Sequence, residues 1–215
     1  MSLEIECKFC DVDFAPLREK LSSNTDAMDC GVHFEQNTLF ETNPPSLSKR
    51  HMLLRLRVIQ ERGSQQKAFV TLKMPCRKRA TKDLKVLDER EVTVSNPQEF
   101  RSILSGLGFK AFAAYEKVRE SWVYHGVEIS FDILPFGNFV ELEGAQTDIE
   151  EVIHELGLEE YQRSTLSYHA LHKKYAKQSK ETACDRSFTF EADERKRWCE
   201  ELGIPCVAAV NLNKT

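Results

Sequence analysis

Charged side chains recur in like-signed pairs, two residues apart, along this sequence of 215 residues. The pairs are Glu4 and Glu6, Arg55 and Arg57, Lys117 and Arg119, and Glu141 and Glu143. Because alternate residues of a β-strand point to the same face, each pair would present two like charges side by side. Carboxylate pairs suit Mg²⁺ or Mn²⁺, which prefer oxygen ligands, and basic pairs suit phosphate oxygens. The spacing therefore indicates a site for metal and phosphate.

The segments that carry these pairs alternate charged and apolar residues, which is typical of strands with two different faces. We expect strands around residues 4–9, 54–58, 70–73, 89–94, 117–119, 128–133 and 139–143. One face of these strands is apolar and needs a cover. The other face carries Glu4, Glu6, Lys8, Arg55, Arg57, Lys73, Glu89, Glu91, Lys117, Arg119, Glu128, Asp132, Glu141 and Glu143.

Helical patterns lie between and after the predicted strands. The first predicted helix follows Asp13, and the second begins at Asn96-Pro97. The third begins at a capping box from Thr147 to Glu150, and the last carries Leu166, Leu171 and Tyr175. Strands outnumber helices, so we predict an α+β fold, an antiparallel sheet with helices packed on one side. A loop is expected at residues 43–51 and a strongly basic loop at residues 77–85.

The charged face has two interpretations. In an open antiparallel sheet it would be a solvent-exposed surface, which is common. In a barrel of about eight strands the same side chains would converge on an interior that can hold one small ligand. The face is almost entirely charged, with both signs abundant, but the pattern alone leaves both interpretations open.

Composition narrows the classes of protein. The formal net charge of -4 lacks the basic excess of a nucleic-acid-binding domain. No apolar run is long enough to cross a membrane, and residues 1–6 lack the basic region followed by an apolar stretch that is typical of a secretory signal. Cys7 and Cys10 lack a second ligand pair for zinc, so the cysteines are expected to be reduced thiols. We expect a cytoplasmic protein without nucleic-acid or membrane partners; the sequence carries no signal for the oligomeric state.

Several short motifs, in a fixed order, make the sequence resemble the CYTH family of class IV adenylate cyclases, thiamine triphosphatases and inorganic triphosphatases. The motifs are Glu4-Ile5-Glu6-Cys7-Lys8, Leu54-Arg55-Leu56-Arg57, Thr71-Leu72-Lys73-Met74-Pro75, Glu89-Arg90-Glu91, Lys117-Val118-Arg119, Asp132 followed by the segment from Gly137 to Gly144, and Ser167-Tyr168. The resemblance covers about residues 2–175. It implies an eight-stranded antiparallel β-barrel, a triphosphate tunnel, with helices packed outside.

The resemblance also implies roles for the charged residues. The expected ligands of Mg²⁺ or Mn²⁺ are Glu4, Glu6, Asp132, Glu141 and Glu143. The expected triphosphate-binding and catalytic residues are Lys8, Arg55, Arg57, Lys73, Lys117 and Arg119. Glu89 and Glu91 are weaker candidates, either of which could serve only to orient a basic side chain.

The function implied is a metal-dependent triphosphatase acting on inorganic triphosphate, thiamine triphosphate or ATP. One alternative is a class IV adenylate cyclase, in which the ribose 3′-hydroxyl of ATP attacks the α-phosphorus and releases pyrophosphate. Another is a non-catalytic module that binds polyphosphate or a nucleotide, which would keep the basic residues and lose the acids. The expected organisation is a tunnel domain over residues 1–178 and a C-terminal appendage over residues 179–215.

Overall fold

The computed structural model describes residues 2–76, 83–178, 186–210 and 212. Its strands are β1 (Ser2–Cys10), β2 (Met28–Thr42), β3 (Leu53–Gln60), β4 (Lys67–Pro75), β5 (Lys85–Thr93), β6 (Phe109–Tyr124), β7 (Val127–Leu134), β8 (Gly137–Glu143) and β9 (Gln162–Ser164). Its helices are α1 (Phe14–Ser23), α2 (Pro97–Gly106), α3 (Gln146–Leu156), α4 (Tyr168–Gln178) and α5 (Ala192–Leu202). Most of the predicted basic loop, residues 77–82, lies outside the described residues.

Eight antiparallel strands close into a barrel in the order β5-β4-β3-β2-β6-β7-β8-β1. The closure is the pairing of β1 with β5, in which Ser2 lies opposite Glu89 and Glu6 lies opposite Lys85. The short strand β9 pairs with the C-terminal half of β1, beyond the contact with β5. The predicted eight-stranded antiparallel barrel is confirmed, with the helices outside it.

Register places the charged side chains on the inner face. Lys8 lies opposite Glu141 of β8, and Arg119 of β6 lies opposite Asp132 of β7. Directly paired residues share a face of an antiparallel sheet. The alternate residues of the same strands, such as Leu142, therefore point outward and are fully buried under the helices.

Strand β2 is absent from the sequence-based prediction, although it pairs with both β3 and β6. Its outer face carries polar Gln36 and Thr38, so the alternation of polar and apolar residues is lost. Gln36 donates to the carbonyl of Ala208, and Thr38 accepts from Arg101 of α2. Tertiary contacts thus satisfy polar groups that made the segment unlike a half-buried strand.

The helices cover the outer wall. On one side α1 and α3 bury Leu17 and Ile149 against Phe131 and Leu142, and on another side α2 buries Leu104 against Leu56. Asp13 caps α1 as predicted, with its carboxylate accepting from the amide of Ala15 at 3.1 Å.

The predicted capping box of α3 and the predicted place of Leu166 in α4 are wrong. Helix α3 begins at Gln146 without a side-chain cap, and Thr147 lies in its first turn, because the chain turns into the helix directly after β8. Leu166 precedes α4 and is exposed; the hydroxyl of Ser167 instead accepts from the amide of Ala170 at 3.3 Å and starts that helix.

The C-terminal segment, residues 186–210, packs on the barrel. The backbone of Phe188 pairs with β6 beside Tyr115, where β7 leaves the edge of β6 uncovered. Helix α5 buries Cys199 near Phe34 of β2. Arg195 donates to the fully buried carboxylate of Glu116 at 2.9 Å. This segment therefore covers the outer face of the barrel at β2 and β6.

None of the helices within the described residues combines the length and apolar character that a membrane crossing requires.

Candidate active site in the barrel interior

The inner face of the barrel surrounds a cavity of about 270 Å³. The charged residues that line it are Glu4, Glu6, Lys8, Arg55, Arg57, Lys73, Lys85, Glu89, Glu91, Lys117, Arg119, Glu128, Glu141 and Glu143. Among the described residues this lining holds seven carboxylates and seven basic groups. All of the predicted site residues except Asp132 contribute to it, and Asp132 lies directly behind it.

Three carboxylates converge at one point of the lining. Glu4, Glu6 and Glu141 each offer an oxygen, and these oxygens lie within 4.8 Å of one another. Glu4 and Glu6 are almost fully buried on β1, and Glu141 comes from the adjacent strand β8. Burial raises the pKa of Glu6, an effect that the attraction of Lys8 offsets only in part. Burial alone would also raise the pKa of Glu141, but Lys8 and Arg119 hold it well below the usual range.

Three lysines balance this acidic cluster. Lys8 contacts Glu6 at 3.0 Å and Glu141 at 2.9 Å. Lys73 contacts Glu4 at 2.5 Å, and Lys85 contacts Glu6 at 2.6 Å. Lys85 was not among the predicted site residues, because it closes the basic loop in sequence and nothing local places it at the start of a strand.

Glu143 lines the cavity but lies outside the cluster of three. Glu143 is exposed and is the last residue of β8. Partial removal of its carboxylate from water, together with the negative charges of Glu4 and Glu141, raises the pKa of Glu143 to about 8.

Asp132 is engaged by cations rather than by other acids. Arg119 donates to both of its oxygens, at 2.7 and 2.6 Å, and Lys117 contacts it at 3.0 Å. The hydroxyl of Tyr168 donates to the same carboxylate at 2.5 Å. Burial alone would raise the pKa of Asp132, but Arg119 and Lys117 lower it. The structure therefore places this predicted metal ligand where it orients two predicted phosphate-binding residues.

Glu35 is a site residue that the sequence reasoning missed. It lies on β2, is fully buried, and contacts Lys117 at 3.6 Å and Arg57 at 3.8 Å. His33 contacts it at 3.0 Å. Burial alone would raise the pKa of Glu35, but Lys117 and its other partners hold it well below the usual range. A signal existed in the alternation of His33, Glu35 and Asn37 on one face, but polar Gln36 and Thr38 on the other face obscured it.

Arg55 differs from the other basic residues in lacking an acidic partner. Its guanidinium donates to the hydroxyls of Tyr115 at 3.2 Å and Thr71 at 3.3 Å. Its Nε is buried without a hydrogen-bond partner, and no carboxylate of the described ranges forms an ion pair with it. A buried donor without an acceptor is unfavourable, so this guanidinium is arranged for an anion.

The weaker candidates hold basic side chains. Glu91 accepts from Arg57 at 3.0 Å and from the hydroxyl of Thr71 at 2.6 Å. Glu89 contacts Lys73 at 2.8 Å. Both carboxylates therefore orient cations of the lining, which is the lesser of the two roles expected for them.

The donor set of the acidic cluster suits a hard divalent cation. Three carboxylates from two adjacent strands offer oxygen ligands only, as Mg²⁺ and Mn²⁺ prefer. One oxygen of Glu4, Oε2, is buried and has no hydrogen-bond partner within the part of the chain that the structure describes. Because this acceptor lies beside two further carboxylates, the three residues fit a metal ion.

Comparison with known proteins identifies the fold and the family motifs. A family model described as "CYTH domain" matches residues 2–168. A protein of Methanocaldococcus jannaschii, named provisionally as an adenylate cyclase, is 35% identical over 97 residues, which are 45% of this chain. The chain spans about half of that relative, 52% of its length.

Solved structures share the barrel. The PH1819 protein of Pyrococcus horikoshii OT3 matches with a TM-score of 0.64 and 24% identity, over 80% of this chain and 98% of that one. A protein of Hippeastrum matches with a TM-score of 0.59 and 19% identity, over 81% and 96% of the two chains. Its description names it as a provisional adenylyl cyclase with a dominant triphosphatase activity. At these identities the likeness concerns the fold.

Proposed function

The chain belongs to the CYTH domain family, and from this premise we propose that it is a divalent-metal-dependent enzyme that hydrolyses a triphosphate. The triphosphate chain lies in the tunnel, and water attacks its terminal phosphorus, so that one phosphoanhydride bond is cleaved. The substrate is inorganic triphosphate or an organic triphosphate, such as ATP or thiamine triphosphate.

The observation that carries the proposal is that a carboxylate cluster and an arginine that makes no ion pair within the described ranges line the same cavity. The cluster of Glu4, Glu6 and Glu141 is suited to a metal ion, and Arg55 is suited to an anion. Both line the same cavity of about 270 Å³. A metal bound to phosphate satisfies both at once.

The balance of charge supports the dependence on a metal. The carboxylates of the lining offset most of the charge of its seven basic groups, with Glu143 mostly protonated near neutral pH because its pKa is raised to about 8. A triphosphate carries several negative charges and would leave this lining strongly negative if it entered alone. A divalent cation held by Glu4, Glu6 and Glu141 would supply the positive charge that restores the balance, as in other phosphoryl-transfer sites.

Phosphoryl transfer requires positioning and neutralisation of charge more than covalent chemistry from the protein. Arg55 is arranged for bidentate contact with phosphate oxygens. Lys117 and Arg119 are held in place by Asp132 and Glu35, which fixes their direction before substrate arrives. Preorganised groups of this kind stabilise developing charge without reorganisation.

Glu4, Glu6 and Glu141 would hold the metal, which supplies Lewis acidity toward phosphate oxygens and toward a bound water. Lys8 and Lys73 neutralise these carboxylates in the structure described here. Because each ammonium can rotate toward a phosphate oxygen, the same lysines can bind the substrate.

A second candidate function is the class IV adenylate cyclase reaction on ATP. The M. jannaschii relative with 35% identity carries a cyclase name, whereas the description of the Hippeastrum neighbour speaks of a dominant triphosphatase activity. Hydrolysis requires fewer specific contacts than cyclisation, because no ribose hydroxyl has to be aligned. Hydrolysis is therefore our first proposal.

A non-catalytic module for polyphosphate or nucleotide is disfavoured by the acidic cluster. Such a module needs only basic groups, and three converging carboxylates would weaken anion binding unless a cation accompanied the anion. The presence of Glu4, Glu6 and Glu141 within 4.8 Å of one another favours an enzyme.

The experiment is a turnover assay with Mg²⁺ or Mn²⁺ on wild-type protein and on the double variant Glu4→Gln, Glu6→Gln. We expect the variant to lose metal-dependent turnover while circular dichroism shows a folded chain. The matched control replaces two exposed carboxylates of α5, Glu200→Gln and Glu201→Gln, and should keep wild-type turnover. Near-normal kcat in the Glu4, Glu6 variant would exclude these residues as metal ligands.

A further inference from the structure

A second cavity adjoins one end of the tunnel. Its volume is about 420 Å³, and four residues line both cavities: Leu39, Leu53, Ser167 and His169. The surface of the cavity is mostly apolar and includes Phe40, Met52, Leu54 and Phe112. A mostly apolar cavity with a few polar groups is the usual form of a site for an organic ligand, whereas the tunnel itself is charged.

Part of this wall lies beyond the region matched by the family model. His169, His172, Lys173 and Arg186 line the second cavity, and all of them follow residue 168, where the match ends. Helix α4 and the C-terminal segment thus contribute wall residues that lie outside the matched region.

His169 presents an unsatisfied polar atom at the junction of the two cavities. Its ring lies against Tyr115 and Phe188, with centroids 5.4 and 4.8 Å away, so its orientation is fixed. Its Nε2 is buried and has no hydrogen-bond partner among the residues that the structure describes. A ligand that reaches from the tunnel into the second cavity passes this nitrogen.

The protonation state of His169 defines which ligand group suits it. Burial lowers the pKa of His169 to about 4, and the hydrogen bond with the backbone of Arg186 opposes this only in part. The imidazole is therefore neutral near pH 7. Because the ring donates to the Arg186 backbone through its other nitrogen, Nε2 is a hydrogen-bond acceptor. It requires an N–H or O–H donor on the ligand.

The charged groups around the second cavity disfavour a cationic ligand. Lys173 and Arg186 contribute positive charge to the wall. Glu41 is the single carboxylate among the described lining residues. Its oxygens already accept backbone hydrogen bonds from Thr42, Ser46, Leu47 and Ser48, at 2.8 to 3.0 Å. A neutral ring therefore fits this environment better than a positively charged one.

We propose that the second cavity binds a neutral heteroaromatic base carrying an N–H donor, so that the substrate is a nucleoside-triphosphate-like molecule whose base donates to Nε2 of His169. The phosphates lie in the tunnel and the base lies between Leu54 and Phe112. This proposal rests on the proposed function, in that the tunnel holds the triphosphate, and it adds the class of the organic group.

The test is isothermal titration, in the presence of Mg²⁺, of the non-hydrolysable imido analogues of ATP and of inorganic triphosphate into wild-type protein and into His169→Phe. Phenylalanine keeps the ring contacts with Tyr115 and Phe188 and removes the acceptor. One neutral hydrogen bond corresponds to about tenfold in affinity. We therefore expect the ratio of the Kd for the ATP analogue to the Kd for the inorganic triphosphate analogue to rise about tenfold. The variant His169→Gln, whose amide oxygen accepts, should restore most of the ratio.

A second measurement does not depend on a variant. The ¹⁵N chemical shift of Nε2 in His169 should move on addition of ATP, as the nitrogen accepts a hydrogen bond, and much less on addition of inorganic triphosphate. Thiamine triphosphate, which carries a positively charged ring, should bind more weakly than ATP.

The outcomes separate the two proposals. An unchanged ratio in His169→Phe, with no selective shift of Nε2, overturns the base-binding proposal, while binding and turnover of inorganic triphosphate would leave the proposed function intact. Failure of the wild-type protein to bind either compound refutes the proposed function, and the base-binding proposal falls with it.

Discussion

Replacing Arg55 by glutamine separates a phosphate-binding role from a structural one. In the absence of ligand the guanidinium of Arg55 makes two hydrogen bonds with hydroxyls, to Tyr115 and Thr71, and no ion pair within the described ranges. Glutamine can replace one of these bonds, so the free energy of unfolding should change by less than about 1 kcal/mol. A bidentate contact with phosphate should contribute about 3 kcal/mol, so affinity for triphosphate should fall roughly 150-fold.

The matched variant is Arg119→Gln, at a second arginine of the same cavity. Arg119 contacts Asp132 at 2.6 Å and Glu141 at 2.8 Å. Removing one partner of a buried ion pair leaves uncompensated charge, which costs about 3–5 kcal/mol of stability. Arg119→Gln should therefore lower the free energy of unfolding far more than Arg55→Gln.

The assays are denaturant unfolding without ligand and isothermal titration with inorganic triphosphate. The reasoning would be refuted if Arg55→Gln unfolded as easily as Arg119→Gln while its affinity for triphosphate stayed within about threefold of wild type, less than 1 kcal/mol. That result would assign Arg55 to the internal architecture of the barrel.

Three further predictions concern charge, pH and the C-terminal segment. Glu35→Gln should lower the free energy of unfolding by about 3 kcal/mol, because Lys117 and Arg57 lose a buried counter-charge. Added triphosphate should restore part of the lost stability in a thermal melt. Equal stability of the variant with and without triphosphate would contradict this prediction. Because the pKa of Glu143 rises from 4.5 to about 8 on folding, the contribution of Glu143 to the free energy of unfolding should fall as the pH rises between these two values. Glu143→Gln should therefore make the free energy of unfolding less dependent on pH in measurements from pH 4 to 9. Phe190→Ala should lower the free energy of unfolding by about 3–5 kcal/mol, because this side chain is only 1% exposed beneath α5. The variant should also expose residues 186–210 to limited proteolysis. Rapid cleavage of that segment in wild-type protein would show that it does not pack on the barrel.

Much of the inner wall could be predicted from local sequence. The alternation in segments such as Glu4 to Lys8 and Leu54 to Arg57 places charged side chains on one face, whatever the partner strands are. The barrel is predicted only through the family resemblance that the order of the motifs provides. Its closure depends on the pairing of β1 with β5, which joins residues more than 80 positions apart, such as Ser2 and Glu89. Periodicity within a segment carries no information about such a pairing.

The features missed by the sequence depend on tertiary contacts. Strand β2 and its Glu35 were hidden because Gln36 and Thr38 are satisfied by distant groups. Asp132 carries the residue type of a metal ligand, but its partners Lys117, Arg119 and Tyr168 come from two other elements. Metal binding remains a prediction for all five expected ligands, Glu4, Glu6, Asp132, Glu141 and Glu143, as do the boundary at residue 178 and the cytoplasmic location.

The wall of the second cavity could not be predicted at all, because it combines residues that are far apart in sequence. Leu53 and Phe112 lie on different strands, and His169 and Arg186 come from α4 and the segment after it. On the sequence alone, His169 and His172 are two histidines three residues apart on a predicted helix, without partners for a metal site. The structure places His169 in the lining of both cavities, with its ring packed against Phe188.

The most direct test of the central claim is turnover of ATP and inorganic triphosphate in ¹⁸O-labelled water with Mg²⁺ or Mn²⁺, analysed by ³¹P NMR. Attack of water on the terminal phosphorus predicts metal-dependent release of orthophosphate that carries one ¹⁸O atom, with unlabelled ADP from ATP and unlabelled pyrophosphate from inorganic triphosphate. Cyclic AMP with unlabelled pyrophosphate would show instead that the ribose hydroxyl is the nucleophile. No product under conditions in which titration shows triphosphate binding would contradict the assignment of an enzyme to this tunnel.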